Sequence, residues 1–229
     1  MFKAIIFDRD GVIIDSEGNN RKTAQQVSYD LAGIVLTEAD KQYIIARHPA
    51  DYLASLRQKY LALTTVSDED FFQGTTSMYK SLIPMITFIQ PAVDAVKRLH
   101  ESGLRLALNT SSPLQETLTI FPQHGLLDYF DAFTTFSDGC PRKPDPASYL
   151  LTAQKLGLSP SECVAIEDSS FGLQSAKAAG MACIIIPTVY TEYQDFSSAD
   201  AIVESAEEVT IPFLESLRGT KQSMIISNL

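Results

Sequence analysis

The sequence predicts an α/β protein, with a Rossmann-like parallel sheet core, helices on both faces of the sheet and an inserted all-helical cap domain. Two observations predict this fold. Short apolar runs typical of buried strands alternate with amphipathic segments of helical period, and one long stretch has helical period but no strand-like run. The chain has 229 residues and 45% hydrophobic side chains, which is enough for one large core or two modest ones.

Five apolar runs are the predicted strands of the sheet, and amphipathic segments lie between most of them. The strands are predicted at Ala4–Phe7, Leu104–Leu108, Cys163–Ile166, Cys183–Ile186 and Ala201–Val203. Helices that begin at proline or end before glycine are predicted at Ala92–Glu101, Pro113–Gln123, Ala147–Leu156 and Gly172–Ala179. A β–α alternation of this kind implies parallel strands.

One stretch interrupts this alternation with helical pattern alone. Helices are predicted there at Arg21–Leu31, Glu38–Ala46, Ala50–Leu63 and Asp68–Ile83. We therefore predict an α/β core of residues 1–16 and 85–229 and a helical cap domain of residues 17–84. The tail Thr220–Leu229 has no strong pattern.

Charge and hydropathy exclude several classes of partner. The 28 acidic and 18 basic residues give a net charge of −10, and no dense run of Lys and Arg exists, so nucleic acid is not an expected partner. No apolar stretch approaches the roughly 20 residues of a membrane span, and the N-terminus turns acidic too early for a signal peptide. We expect a cytoplasmic protein that does not bind membranes. The default expectation is a monomer, because no obvious exposed apolar face is present.

Polar side chains follow several predicted strands at the point where each strand ends. In an open parallel sheet these ends share one edge, where ligands bind. Taken singly, each group is also ordinary turn or capping chemistry. Crowded carboxylates raise one another's pKa unless a cation neutralises them, and a set of oxygen ligands suits Mg²⁺. The groups at strand ends are Asp8, Asp10, Thr110, Ser111, Glu167 and Asp168. Lys143 joins them from a proline-rich loop that precedes a predicted helix.

Four motifs together resemble those of the haloacid dehalogenase-like (HAD) hydrolase superfamily. They are FDRDGV, LALNTSS, RKPDPASY and VAIEDSSFGLQSAKAAGM, in this order. The resemblance spans Phe2 to about Pro187. It is to the branch with a helical cap after the first motif, which includes beta-phosphoglucomutase and phosphoglycolate phosphatase-like enzymes.

The resemblance implies a role for each motif residue. Asp8 would attack phosphorus and form an aspartyl-phosphate, while Asp10 would protonate the leaving alcohol and then activate water. Thr110, with the backbone N–H of Ser111, would hold a phosphoryl oxygen. Lys143 would offset the charge of the transferring group and restrain Asp8.

The resemblance also implies a magnesium site and a reaction. Mg²⁺ would be held by Asp8, the backbone carbonyl of Asp10 and Asp168, with Glu167 contributing directly or through water. The expected function is a Mg²⁺-dependent phosphatase acting on a small-molecule phosphate ester. Asp10 favours phosphoryl transfer, because the dehalogenases of the superfamily lack this second acidic residue.

Two other functions stay open. Beta-phosphoglucomutase-like enzymes share all four motifs and grip a sugar phosphate with a Gly-x-Ser-Arg cap loop, but Ala46 and Pro49 stand here in place of the glycine and the arginine. Arg47 and His48 are candidate substrate-specificity residues, or alternatively residues of a surface helix end. A non-catalytic phosphate-binding regulatory module is the other alternative.

Overall fold

The computed structural model of the protein describes residues 2–217, which divide into two units. Residues 15–87 form the helical unit, and the described residues on either side of them form the sheet unit. The sequence predicts the boundaries between the two units after residues 16 and 84, whereas the structure has these boundaries after residues 14 and 87. The predicted tail Thr220–Leu229 lies outside the described residues.

The elements alternate as expected outside the helical unit. The strands are β1 (Ala4–Phe7), β2 (Ile14–Asp15), β3 (Thr87–Phe88), β4 (Arg105–Asn109), β5 (Ala132–Thr134), β6 (Cys163–Glu167), β7 (Ala182–Ile185) and β8 (Ala201–Ile202). The helices are α1 (Glu17–Ala32), α2 (Glu38–Ile44), α3 (Pro49–Lys59), α4 (Asp68–Leu82), α5 (Gln90–Glu101), α6 (Leu114–Ile120), α7 (Ala147–Lys155) and α8 (Ser170–Ala178). Residues 211–217 are also helical.

A six-stranded parallel sheet is the centre of the sheet unit, which confirms the predicted fold class. The strand order is β5-β4-β1-β6-β7-β8, so the first strand of the chain lies in the middle. All four residues of β1 are buried, as expected for a parallel strand covered on both faces. Side chains of α7 and α8, including Tyr149 and Leu173, pack with sheet residues such as Ile6 and Ala165 in one apolar cluster.

The strand register brings three chain segments level at one edge of the sheet. Phe7 pairs with Leu108 of β4 and with Ile166 of β6. The next residue along each strand is polar, and parallel strands present these ends at the same edge. The three loops from which a site can be built therefore begin with Asp8 and directly after Asn109 and Glu167.

The helical unit has its own core and its own helix caps. Phe71, Leu53 and Leu63 are almost fully buried within it. Thr37 and Asp40 form a capping box at the start of α2, with each side chain accepting a hydrogen bond from the backbone of the other. The short strands β2 and β3 pair with each other where the chain enters and leaves this unit.

Two predicted helices are shorter than the sequence pattern indicates. The prediction Pro113–Gln123 is wrong after Ile120, where the α-helix gives way to a 3₁₀ turn at Phe121–His124. Pro122 explains this change, because a proline cannot donate the next helical hydrogen bond. The prediction Ala50–Leu63 is wrong after Lys59, because extended backbone at Tyr60 ends α3.

The sequence analysis also missed strand β5. This strand has three residues, too few for a recognisable pattern of hydrophobicity. Asp131, just before it, accepts the backbone N–H of Leu106 at 2.9 Å and so joins β5 to β4 through a side chain. Among residues 2–217, no helix combines the length and hydropathy that a membrane crossing needs.

Candidate active site

Lys143 lies between the acidic residues at the ends of β1 and β6. Its Nζ donates to Asp8 Oδ1 and to Glu167 Oε1, at 2.6 Å in each case. It also donates to the backbone carbonyl of Asn109 at 3.3 Å. Both carboxylates are buried, with 7% of Asp8 and 1% of Glu167 exposed. One ammonium cannot neutralise two carboxylates, so a second cation would stabilise their ionised forms.

The loop that carries Lys143 is fixed by hydrogen bonds on its C-terminal side. The backbone N–H of Asp145 donates to the carbonyl of Arg142 at 3.0 Å, and the side chain of Asp145 accepts the N–H of Ala147 at 2.8 Å. Ser175 of α8 donates its hydroxyl to the carbonyl of Asp145 at 2.6 Å. These bonds attach the lysine loop to α7 and α8, which flank β6.

Tyr149 also contacts Glu167. Its hydroxyl donates to Glu167 Oε1 at 2.6 Å, and its ring centre lies 5.0 Å from Lys143 Nζ. Burial, together with the charge of Glu167, raises the pKa of Tyr149 well above its usual value. The phenol therefore stays protonated and acts as a permanent donor to the carboxylate.

Gly172 and Gly11 have no side chains, and this leaves room for the carboxylates of Glu167 and Asp168. A Cβ added at Gly172 would lie 2.0 Å from Glu167 Oε2, and one added at Gly11 would lie 2.2 Å from Asp168 Oδ2. Gly11 also has a φ of +78°, which favours glycine over other residues. The approach of backbone to carboxylate thus depends on glycine at both positions.

Asp8, Glu167 and Asp168 form a cluster that fits a divalent cation. Each residue offers one carboxylate oxygen, and these three oxygens lie within 4.8 Å of one another. All three residues are buried, and a set of carboxylate oxygens is what Mg²⁺ prefers. The excess negative charge beside Lys143 supports the same conclusion.

The pKa of Asp8 shows how strongly the site depends on positive charge. Burial is the largest influence and raises this pKa, Lys143 lowers it, and the charges of Glu167 and Asp10 raise it again. The net effect places the pKa of Asp8 well above its ordinary value. For Lys143, burial lowers the pKa, but the charges of Asp8 and Glu167 outweigh burial and raise it. A cation at the carboxylate cluster would favour an ionised Asp8.

The carboxylate of Asp10 is held by side chains from two segments. Thr110 Oγ1 and Ser112 Oγ each donate to Asp10 Oδ2 at 3.1 Å. Arg9 donates from Nε to Oδ2 and from Nη2 to Oδ1, at 3.0 Å each. The structure therefore brings Thr110 and Asp10 into direct contact. Ser111 lies between Thr110 and Ser112 on the same loop and is exposed.

The two candidate specificity residues of the helical unit make local contacts. Arg47 donates to the backbone carbonyl of Tyr43, and its guanidinium lies 4.1 Å from the centre of the Tyr43 ring. His48 is the N-cap of α3, where its Nδ1 accepts the backbone N–H of Ala50 at 3.1 Å. A role in substrate selection stays a prediction for both residues.

Sequence reasoning missed three residues that contact the predicted ones. Ser112 is part of the LALNTSS motif and carries a hydroxyl, as Thr110 does. The motif could therefore have indicated that Ser112 contacts Asp10. Tyr149 follows Lys143 by six positions on an apolar helix face and reads as core. Arg9 lies between two aspartates, where an arginine is most simply read as a solvated charge.

Comparison with known proteins identifies the family. The model of the haloacid dehalogenase-like hydrolase family matches residues 2–180. The chain belongs to this family, as its four motifs predict, and it is an enzyme of the phosphomonoester hydrolase type.

Named relatives and solved structures agree with that assignment. Fructose-1-phosphate phosphatase YqaB of Escherichia coli is 32% identical over 187 residues, which cover 79% of this chain and 94% of that protein. Hexitol phosphatase B of Escherichia coli is 30% identical and covers 90% of this chain and 94% of its own length. The crystal structure of beta-phosphoglucomutase from Clostridium difficile superimposes with a TM-score of 0.83 at 20% identity, covering 97% and 100% of the two chains. This last likeness shows a shared fold alone.

Proposed function

We propose that this enzyme is a Mg²⁺-dependent phosphatase that hydrolyses a small phosphorylated metabolite through an aspartyl-phosphate on Asp8. One observation carries the proposal: Lys143 bridges Asp8 and Glu167 at 2.6 Å, and Asp168 joins them in one buried acidic cluster. Such a cluster is expensive to bury unless it binds a cation and an anionic substrate.

In the first half of the proposed reaction, a carboxylate oxygen of Asp8 attacks phosphorus. The bond from phosphorus to the leaving oxygen breaks, and Asp10 gives a proton to the departing alcohol. Lys143 offsets the charge that spreads over the phosphoryl oxygens, and the hydroxyl of Thr110, which donates to Asp10 in the structure, would turn to donate to a phosphoryl oxygen of the bound substrate.

In the second half, water attacks the phosphorus of the aspartyl-phosphate. Asp10 takes a proton from this water, inorganic phosphate leaves, and Asp8 is restored as a carboxylate. The same carboxyl group therefore serves as acid and then as base, which requires that it stay at one place beside Asp8.

The metal would be held by Asp8, Asp168 and the backbone carbonyl of Asp10, with Glu167 as a direct or water-mediated ligand. When bound, Mg²⁺ would supply charge stabilisation for the phosphoryl group and neutralise the carboxylates. The residues of this chain then orient the nucleophile, donate protons and hold the phosphoryl oxygens.

Sugar and polyol phosphates are the substrate class that we propose to test first. The two phosphatase relatives are named for a ketose phosphate and for hexitol phosphates. The three cysteines are free, as suits a reducing compartment, so the proposal keeps a cytoplasmic location.

The test is phosphate release from p-nitrophenyl phosphate and from a panel of sugar and polyol phosphates. We expect turnover with Mg²⁺, loss of turnover with EDTA and its return when Mg²⁺ is added back. Asp8→Asn should abolish turnover, while Asp128→Asn, at an exposed position of the same unit, should leave it unchanged.

Two results would redirect the assignment. Conversion of a hexose 1-phosphate to its 6-phosphate, without net release of phosphate, would identify a mutase of the beta-phosphoglucomutase kind. No turnover with any divalent metal, together with retained phosphate binding, would identify a non-catalytic phosphate-binding module.

A further inference from the structure

Arg9, between the two aspartates of the first motif, is buried without any exposed surface. Its relative exposure is 0%, and it is among the largest side chains of the described chain that are fully buried. A guanidinium removed from water is costly unless each of its faces and edges finds a partner. Its partners therefore indicate what the side chain does.

The guanidinium makes a two-point bond to the carboxylate of Asp10. Nε lies 3.0 Å from Oδ2 and Nη2 lies 3.0 Å from Oδ1. A bidentate pair of this kind fixes both the place and the plane of a carboxylate, which a single hydrogen bond does not. The side chain of Asp10 is 20% exposed, so part of it stays accessible while it is paired with Arg9.

Helix α6 holds the other side of the guanidinium. Arg9 Nη1 donates to Thr117 Oγ1 at 3.2 Å, and Nη2 donates to Glu116 Oε2 at 3.3 Å. Thr117 is fully buried, whereas the side chain of Glu116 is 18% exposed. Two anionic partners and one hydroxyl therefore surround one cation, and the helix fixes Arg9 in the position from which it meets Asp10.

We propose that Arg9 is a positioning residue for Asp10: held by Glu116 and Thr117, it fixes the Asp10 carboxyl group for proton transfer to and from the reacting oxygen. This inference rests on the proposed function, in which Asp10 protonates the leaving group. Thr110 and Ser112 both donate to Oδ2, whereas Arg9 donates to Oδ1 as well as to Oδ2, so Arg9 contacts both oxygens of the carboxylate.

A series of aryl phosphates separates positioning from simple stabilisation. The value of kcat/KM reports the steps up to departure of the leaving group, and nitrophenolates leave with little help from an acid, whereas phenolate needs a proton. A displaced acid should therefore slow phenyl phosphate much more than p-nitrophenyl phosphate. A merely structural loss would slow both esters by the same factor.

The variants are Arg9→Lys, Arg9→Met and Glu116→Gln, with Lys97→Met as the control and Asp10→Asn as the reference. Arg9→Lys keeps the positive charge but cannot form the bidentate hydrogen bond to Asp10. Glu116→Gln leaves the ion pair between Arg9 and Asp10 in place. At least one of these two variants should therefore fold even if Arg9→Met does not. Circular dichroism and thermal unfolding check each variant.

We expect Asp10→Asn and Arg9→Lys to lower kcat/KM for phenyl phosphate at least about tenfold more than for p-nitrophenyl phosphate. Glu116→Gln should show a smaller difference in the same direction, and Lys97→Met should show none. The inference is overturned if Asp10→Asn shows this leaving-group dependence while folded Arg9→Lys and Glu116→Gln slow both esters equally or not at all.

The failure of the proposed function would look different. A folded wild-type enzyme that hydrolyses neither ester with Mg²⁺ would refute the phosphatase and, with it, the role of Arg9. Equal losses for both esters in Asp10→Asn would remove Asp10 as the acid and would likewise overturn the inference, but the wild-type enzyme would still be a phosphatase.

Discussion

At Gly172 the backbone of α8 passes so close to Glu167 that no side chain fits between them. A Cβ there would lie 2.0 Å from the Glu167 carboxylate, and Gly172 sits one turn after the Ser169 cap. Because Gly172 has no side chain, the start of α8 can approach the Glu167 carboxylate this closely.

Gly172→Ala should reduce activity even though helix propensity favours alanine. Alanine stabilises a helix interior by about 0.5–1 kcal/mol relative to glycine, but here it would displace Glu167 and disturb Lys143. We expect kcat/KM for p-nitrophenyl phosphate to fall about 100-fold, the cost typical of a misplacement near 1 Å. Steady-state kinetics measure this loss.

The matched control is Gln174→Ala, on the exposed face of the same helix. Its kinetics should equal those of the wild type. Unchanged activity in Gly172→Ala would contradict the contact between α8 and Glu167.

The hydrogen bond that Tyr149 donates to Glu167 can be tested separately from the charge of Lys143. Tyr149→Phe removes a 2.6 Å hydrogen bond and leaves the bridge from Lys143 in place. Partners of metal ligands typically affect metal affinity by 10–100-fold, so we expect the Mg²⁺ concentration for half-maximal activity to rise by about tenfold or more. Mg²⁺ titration of activity measures the change.

Tyr193→Phe, at a residue that is 50% exposed, is the control for this experiment and should keep the wild-type Mg²⁺ dependence. If Tyr149→Phe also keeps it, the hydrogen bond from Tyr149 to Glu167 does not influence metal binding. The phosphatase assignment would survive that outcome, because Asp8 and Asp168 remain as ligands.

At the scale of elements, the start of α2 shows how a helix terminus becomes sensitive to acid. Asp40 accepts hydrogen bonds from the backbone N–H of Thr37, from Tyr60 and from Lys59. Burial of Asp40 raises its pKa, but the hydrogen bonds from Lys59, Thr37 and Tyr60 outweigh burial and hold the pKa well below its usual range.

A depressed pKa in the folded state stabilises the helical unit only where Asp40 is ionised. This contribution is complete above the unfolded-state pKa of about 3.9 and is lost as the pH falls from there toward the folded-state value. We therefore expect the difference in unfolding temperature between the wild type and Asp40→Asn to be largest near neutral pH and to shrink below about pH 4. Thermal unfolding from pH 7 to pH 3 measures it.

Asp51→Asn provides the comparison, because Asp51 is an exposed aspartate in the first turn of α3. Its unfolding temperature should stay close to that of the wild type throughout. A difference for Asp40→Asn that does not change with pH would show that the network does not depend on an ionised Asp40.

For the whole molecule, thiol chemistry reports whether the two apolar strands that carry cysteines are buried. Cys163 and Cys183 are buried free thiols, and Cys140 is partly exposed. Burial raises the pKa of Cys163 to about 11 and that of Cys183 well above its usual value, so neither supplies much thiolate at neutral pH.

Ellman's reagent should therefore react with Cys140 alone in the native enzyme and with all three thiols in denaturant. Cys140→Ser should abolish the fast reaction of the native protein, and Cys163→Ser should leave it unchanged. Rapid reaction of more than one thiol in native conditions would contradict the burial of the sheet.

The alternation of apolar runs and amphipathic segments determined the α/β fold class, because strands buried on both faces must be continuously apolar. β1 was predicted to the residue, since Ala4–Phe7 is bounded by a lysine and an aspartate. The acids and the hydroxyl loop could be proposed as neighbours because parallel strands share one edge. Lys143 follows no predicted strand and was added to them from its proline-rich loop before a helix.

Only the tertiary structure decided which side chains meet. The bond from Tyr149 to Glu167, the contact of Ser112 with Asp10 and the burial of Arg9 against Glu116 join residues far apart in the chain. Sequence periodicity records which face a residue occupies, but it does not record the packing that brings two elements together. That physical difference is why the motifs revealed the family and the chemistry, whereas the partners of Asp10 and Glu167 had to be seen in the fold.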